Sequence, residues 1–241
     1  MHQDVFLCPE ESAFYAYCLC KLLAGYCRNE SLIHEFGSGE GMPMVDALRY
    51  SNFKGVVHGY EIQDTSCKLA YQRIEANQVH GHYIVHHENF FEAVDKSSAG
   101  TLVTNPPYLP ACHPDILYLK GLYGGADGSM VSRKLLTMGY STVMLMVSSF
   151  SNPISLLQFA GDQGYSVVDF VIQPLIFGRY SSQPEVQKRI MELYREGSAF
   201  FSDHHYMLAG VVFQKKKNND EELTSDLMTL MRSIRSGYPE K

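Results

Sequence analysis

The chain has 241 residues, 45% of them hydrophobic and 19% charged, with a formal net charge of −6 at pH 7. That length and composition suit one globular domain with a full core, and no apolar run approaches the ~20 residues needed to span a bilayer. The acidic balance disfavours nucleic acid as a partner: Lys215-Lys216-Lys217 is the lysine cluster, it stands close to Asp220-Glu221-Glu222, and a basic stripe is what displaces counterions from phosphates.

The start, Met1-His2-Gln3-Asp4, lacks the basic residues and apolar core of a signal peptide, which predicts a cytoplasmic protein. A helical segment over 1–29 follows from Pro9 in a first turn, Glu10 and Glu11 at its positive end, and Phe14, Tyr17, Cys18 and Leu22 at helical spacing. Strand-like and helix-like stretches then alternate: strand Leu32 to Phe36, helix Met42 to Tyr50, strand Val56 to Ile62, helix Thr65 to Asn77, strand Tyr83 to Phe90 and strand Thr101 to Thr104. The second half continues with helix Ser129 to Met138, strand Val143 to Phe150, helix Ser155 to Gln163 and strand Ser166 to Pro174. An insert at 177–203, helical from Pro184 to Arg195, precedes a last strand, Tyr206 to Gln214. It reads either as a lid or as a surface helix. The tail, 218–241, carries a helix from Leu223 to Ile234 that ends near Gly237-Tyr238-Pro239. Such alternation predicts one domain, a three-layer α/β sandwich of the Rossmann-like kind with a seven-stranded, mostly parallel sheet and an insert before the last strand.

Six cysteines (Cys8, Cys18, Cys20, Cys27, Cys67 and Cys112) form no paired Cys-x-x-Cys motifs and read as free thiols of a reducing compartment. His80, His82, His86, His87 and His204-His205 use the residue type that zinc favours. Adjacent histidines on a strand point to opposite faces, however, so these read as local polar surface and no metal is expected.

Three strand ends carry the chemistry. Ile33-His34-Glu35-Phe36 runs into Gly37-Ser38-Gly39-Glu40-Gly41, where glycines let the backbone turn sharply beside a ligand and the next helix offers its N-terminal amides. Glu61, with Ile62 after it, closes the second strand, where a carboxylate can accept both hydroxyls of a ribose. Loop and acid together fit a nucleotide-type cofactor, and a dehydrogenase would show the same two features.

Asn105-Pro106-Pro107-Tyr108, after the apolar Thr101-Leu102-Val103-Thr104, separates the two readings. Hydride transfer has no use for a stiff planar slot, whereas methylation of an amide or exocyclic amine nitrogen does. The lone pair of such a nitrogen is delocalised, so the nitrogen must be aimed. The Asn105 side-chain oxygen and the Pro106 carbonyl can accept its two N–H bonds while Tyr108 stacks on its plane, with alignment in place of a strong base.

With these residues the chain resembles class I S-adenosylmethionine-dependent methyltransferases that carry an Asn-Pro-Pro-Tyr motif, and within them the HemK-type glutamine N-methyltransferases of release factors. The resemblance rests on the Asn-Pro-Pro-Tyr-Leu-Pro run at 105–110, on Gly124-Gly125-Ala126-Asp127-Gly128 followed by Arg133 and Leu135-Leu136, and on Ala76-Asn77; it covers about residues 30 to 175. It implies cofactor contacts at Glu35, Gly37, Ser38, Gly39, Gly41, Glu61, Ile62, Asn89, Phe90 and Asn105, and catalysis at Asn105, Pro106, Pro107 and Tyr108. Glu35 stands where Asp is commoner in the family and Asn89 where an Asp usually meets the adenine amine. About thirty residues precede the first strand here, fewer than the separate docking domain of the bacterial enzymes needs, and the 177–203 insert is longer than the family pattern.

The expectation is therefore transfer of a methyl group from S-adenosylmethionine to a planar nitrogen, first of all a protein glutamine side chain. A small-molecule nitrogen under a lid, an adenine-type base amine, and a binding scaffold without turnover are the alternatives. The acceptor, the oligomeric state and the need for an activating subunit stay open.

Overall fold

The structure, a computed structural model, describes residues 5–94, 100–216 and 222–234. In chain order the elements are α1 (Pro9–Ala24), β1 (Leu32–Phe36), α2 (Met42–Ser51), β2 (Val56–Glu61), α3 (Asp64–Ala76), β3 (Tyr83–His87) and α4 (Phe90–Ala93). They continue with β4 (Thr101–Thr104), two 3-10 turns at Pro114–Ile116 and Lys120–Leu122, α5 (Met130–Leu136), β5 (Thr142–Ser148) and α6 (Pro153–Asp162). The last are β6 (Tyr165–Ile176), α7 (Pro184–Arg195), β7 (His205–Lys215) and α8 (Thr224–Ser233).

The strands form a seven-stranded sheet in the order β3-β2-β1-β4-β5-β7-β6. β1 runs parallel to β2 and β4, and β2 parallel to β3, as helix-linked crossovers require; β6 and β7 are antiparallel. With helices on both faces this is the expected three-layer α/β sandwich. Strand order reverses direction between β1 and β4, and such switch points are where open α/β sheets hold ligands.

Two compact units divide the chain, the first being Met1–Asn105 with Met138–Met144 and the second Pro106–Thr137 with Leu145–Lys241. In the first, α1 buries Phe14, Tyr15, Cys18, Leu19, Leu22 and Leu23, a stripe at helical spacing that packs against α2. Each large apolar side chain so buried contributes about 1.5–3 kcal/mol. β1 alternates: Ile33 and Glu35 are buried, His34 and Phe36 half-buried. Phe36 pairs with Tyr60 of β2 and with Thr104 of β4, so all three strands finish at one edge, and the Thr104 hydroxyl donates to the Phe36 carbonyl at 2.9 Å.

The second unit has an aromatic core in which Phe150 packs against Phe177 and Tyr206. The insert carries the expected helix over Pro184–Arg195, and this helix lays Val186, Ile190 and Leu193 into the interior. Gln183 Oε1 accepts from the Tyr118 amide at 2.7 Å, and Arg189 Nε donates to the Ala126 carbonyl at 2.8 Å.

Most element ends differ from the sequence reading by one or two residues, and three elements show why. The third strand stops at His87 because Asn89 turns the chain into α4, its Oδ1 accepting from the Phe91 amide. α5 begins one residue late and ends at Leu136, since Asp127 takes the Ser129 amide and Gly139 follows with φ +86°. α6 begins two residues early, at Pro153, where Asn152 caps the Ser155 amide. The tail helix is α8, with Leu227 and Met231 buried; residues 1–4, 217–221 and Gly237-Tyr238-Pro239 lie outside the described residues.

Among the described residues no helix is long and apolar enough to cross a membrane. His86 and His87 point apart as adjacent strand residues do. His86 Nε2 meets His58 Nδ1 at 3.1 Å, and His87 Nε2 meets the Ile62 carbonyl.

Candidate functional site

The register of β1, β2 and β4 brings Gly37, Glu61 and Asn105 to the same sheet edge, Glu61 as the last residue of β2 and the other two as the residues that follow β1 and β4. All three belong to the first unit. The turn after β1 is pinned by the amides of Gly37 and Ser38, which donate to the Tyr60 carbonyl at 2.9 and 3.2 Å, and by the Gly41 amide donating to the Ser38 carbonyl. Gly37 and Gly39 sit at φ +69° and +55°, a region that side chains rarely adopt, and a Cβ on either would meet nothing within 4 Å. Their backbone therefore borders open space, which leaves room for a ligand. Gly41, at the start of α2, is packed against Ala70 instead.

Glu61 braces this turn. Its Oε1 accepts from the amides of Ile62 and Gln63 at 2.8 Å each, and its Oε2 accepts from the Gly39 amide at 2.9 Å. With one bond on Oε2 the carboxylate keeps acceptor capacity there. Ile62 beside it is 66% exposed, a bare aliphatic surface at the strand end.

Glu35 lies deeper. It is fully buried, with Oε1 accepting from Tyr15 of α1 at 3.2 Å and Oε2 from Tyr83 of β3 at 2.5 Å. Burial pushes its carboxyl up to about 7, although the hydroxyls of Tyr83, Tyr15 and Ser38 hold it back in part. Burial and the neighbouring Glu35 also push both tyrosines well above their ordinary range, so they stay neutral donors.

Asn89 and Phe90 follow β3. The Asn89 side chain caps α4 and donates to Glu92 at 2.7 Å; Phe90 is buried, edge-on to Phe36 and Tyr60.

Asn105 is half-buried, and its Nδ2 donates to Glu11 Oε1 at 2.7 Å. Its Oδ1 is buried and has no hydrogen-bond partner among the described residues. Buried acceptors are rarely left unmatched, so this atom is a telling polar feature of the edge.

The second unit opens on Pro106, Pro107 and Tyr108. The Tyr108 ring is buried 5.7 Å from that of Phe150, and its carbonyl accepts from Ser151 Oγ at 2.7 Å. A Cβ on Gly124 would come 2.6 Å from Tyr108 Cα, so only glycine lets the Gly124–Gly128 loop lie against this turn. Asp127 locks the loop. Its Oδ1 accepts from the amide and hydroxyl of Ser129 at 3.0 and 2.8 Å, and its Oδ2 from Arg133 at 2.9 Å and Asn152 at 3.1 Å.

Sequence reasoning placed Glu11 only at the positive end of the first helix and gave no place in the site to Glu11, Tyr15 or Tyr83. The signal was present in part: two polar residues four apart, Glu11 and Tyr15, fall on the buried stripe of a helix, where a polar group needs a partner.

No protein-family model and no curated protein matches the chain. Among solved structures it is similar to a candidate RNA methyltransferase from Pyrococcus horikoshii, with a TM-score of 0.55 and 12% identity over 86% of this chain and 84% of the other. It is also similar to M. jannaschii TYW2 in complex with AdoMet, with a TM-score of 0.50 and 13% identity over 90% of this chain and 78% of the other. At such identity the likeness establishes the fold, that of the class I methyltransferases.

Proposed function

We propose that this chain transfers a methyl group from S-adenosylmethionine to a planar nitrogen, and that the acceptor is a glutamine side chain of a protein. The observation that carries the reading is Asn105 Oδ1, a buried acceptor without a partner at the end of β4, in an amide whose Nδ2 is already held by Glu11. An oxygen so placed suits an N–H donor that arrives from outside the fold. Accepting that N–H fixes the plane of the incoming amide and returns electron density to its nitrogen.

The edge also fits the cofactor. Glu61 Oε2 would take a ribose hydroxyl, and the exposed Ile62 and Asn89 would flank the adenine, with the buried Phe90 ring supporting this end of the sheet from within. The open backbone of Gly37 and Gly39 would lie along the rest, with Ser38, Gly41 and Glu35 shaping the turn behind it. S-adenosylmethionine, when bound, supplies a methyl group already attached to a good leaving group. The protein's own residues then have to bind, aim and exclude water. Orientation of two bound reactants is worth about 7–11 kcal/mol of barrier.

A protein glutamine is favoured by the Asn-Pro-Pro-Tyr-Leu-Pro and Gly-Gly-Ala-Asp-Gly segments and by the net charge of −6, which repels phosphates. A second reading, methylation of a base amine, shares the same slot and is supported by the likeness to the candidate RNA methyltransferase. Labelled methyl transfer from S-adenosylmethionine into a cell extract, followed by protease, nuclease and small-molecule fractionation, tests both. Label that maps to a glutamine supports the first reading. Nuclease-sensitive label moves the assignment to the second, and label confined to small molecules overturns both.

A further inference from the structure

We propose that Glu11 is a positioning residue that sets which way round the Asn105 amide sits; the inference rests on the reading of Asn105 Oδ1 as the atom that receives the acceptor's N–H. An amide group is nearly symmetrical in shape, so an Asn turned by 180° exchanges its oxygen and NH2 at little steric cost unless a neighbour discriminates. Glu11 does so. Its Oε1 accepts from Nδ2 at 2.7 Å, it is 4% exposed, and an oxygen that serves as the acceptor of that bond offers a turned amide no donor. In the turned amide two oxygens would face each other at that distance, and the NH2 would take the place of Oδ1. A donor there repels an incoming N–H.

The placement of Glu11 is built into the fold. It lies in the first turn of α1 at a buried position of the stripe that packs on α2, and Tyr15, one turn further on the same face, donates to Glu35 at 3.2 Å. One helix face thus holds a residue of β1 and the residue that follows β4. The first unit contains both contacts.

The test is a double-mutant cycle with Asn105→Asp and Glu11→Gln, read by kcat, by cofactor affinity and by the NMR signals of the Asn105 side-chain NH2. Asn105→Asp alone sets two carboxylates against each other, and turnover should fall about 100-fold or more, the loss typical of a misplaced transition-state acceptor. Adding Glu11→Gln lets the new amide donate to the carboxylate introduced after β4 and frees that carboxylate's other oxygen, so the double variant should recover at least about 10-fold in kcat over the single one. Cofactor Kd should stay within about threefold throughout. In Glu11→Ala the Asn105 NH2 protons should lose their protection from solvent exchange while the backbone amides of β1 and β4 keep theirs. A double variant no faster than Asn105→Asp, or unchanged NH2 protection in Glu11→Ala, overturns the role of Glu11. Full turnover by Asn105→Ala overturns instead the reading of Asn105 on which it rests.

Discussion

Tyr83 donates its hydroxyl to Glu35 Oε2 across 2.5 Å in the interior of the first unit, and this bond joins β3 to β1 although β2 lies between them in the sheet. Tyr15 holds the other oxygen from α1. A buried carboxyl whose neighbours are the neutral hydroxyls of Tyr83, Tyr15 and Ser38 and the like-charged Glu61 is poorly compensated when ionised, which is why burial raises it from 4.5 to about 7. The folded protein then binds a proton that the unfolded chain has already released. Stability from this group is complete below pH ~4.5, declines as pH rises, and is lost above ~7, a change on the order of 3 kcal/mol. Glu35→Gln removes the titration. The drop in Tm between pH 5 and pH 8 should be smaller in Glu35→Gln than in the wild-type protein, measured in the same buffers. Equal drops would mean that Glu35 is ionised at pH 5 in the folded state.

On the proposed reading, Glu61 serves cofactor binding and Asn105 serves turnover. Glu61→Ala removes the acceptor for three backbone amides, including that of Gly39, and with it the brace of the turn that borders the open space. Charge-assisted hydrogen bonds contribute about 1.5–3 kcal/mol each when lost, so cofactor Kd should rise at least about 10-fold. Asn105→Ala should leave Kd within about threefold and reduce kcat by about 100-fold or more. Isothermal titration and steady-state rates separate the two effects, and a variant pair with exchanged phenotypes would overturn the division.

Much of this edge was legible in the sequence because its signals are local. A glycine-rich turn after β1, an acid closing β2 and a proline-stiffened turn after β4 each announce themselves within a few residues. Parallel pairing then aligns them, and the alternation of strands and helices predicts that pairing. The partners were not legible. Glu11 and Asn105 are 94 positions apart and Tyr83 and Glu35 are 48 apart, so only the packing of α1 and the strand order bring them together. Element ends were displaced for a similar reason. Asn89 and Asp127 look like ordinary turn residues until the amides they accept from are known.

Ile190 tests how firmly the insert is held. Its side chain is fully buried on the inner face of α7, whereas Met191 beside it is 37% exposed. Ile190→Ala leaves a cavity and should cost about 2–5 kcal/mol, whereas Met191→Ala should stay within about 0.5 kcal/mol. Urea unfolding of both variants gives the comparison. Equal, small losses would show that α7 opens before the rest of the second unit and would favour a mobile lid.

Asp127 links stability to the turn at Tyr108. Four donors converge on its carboxylate, and two of them, Arg133 and Asn152, have few alternative partners: among the described residues Arg133 Nη2 reaches only Ser155 besides, and Arg133 Nε is buried without a partner. Asp127→Ala would strand these donors around a side chain that is a quarter exposed, so water relieves part of the penalty and the loss should be about 2–3 kcal/mol. The loop it locks presses Gly124 against Tyr108, and Ser151 next to Asn152 holds the Tyr108 carbonyl. Loosening it should therefore lower kcat by more than it weakens cofactor binding, measured at a temperature where the variant remains folded. If Tm falls while kcat is unchanged, the Gly124–Gly128 loop stabilises the second unit without shaping the slot, and the positioning of the acceptor rests on Asn105 alone.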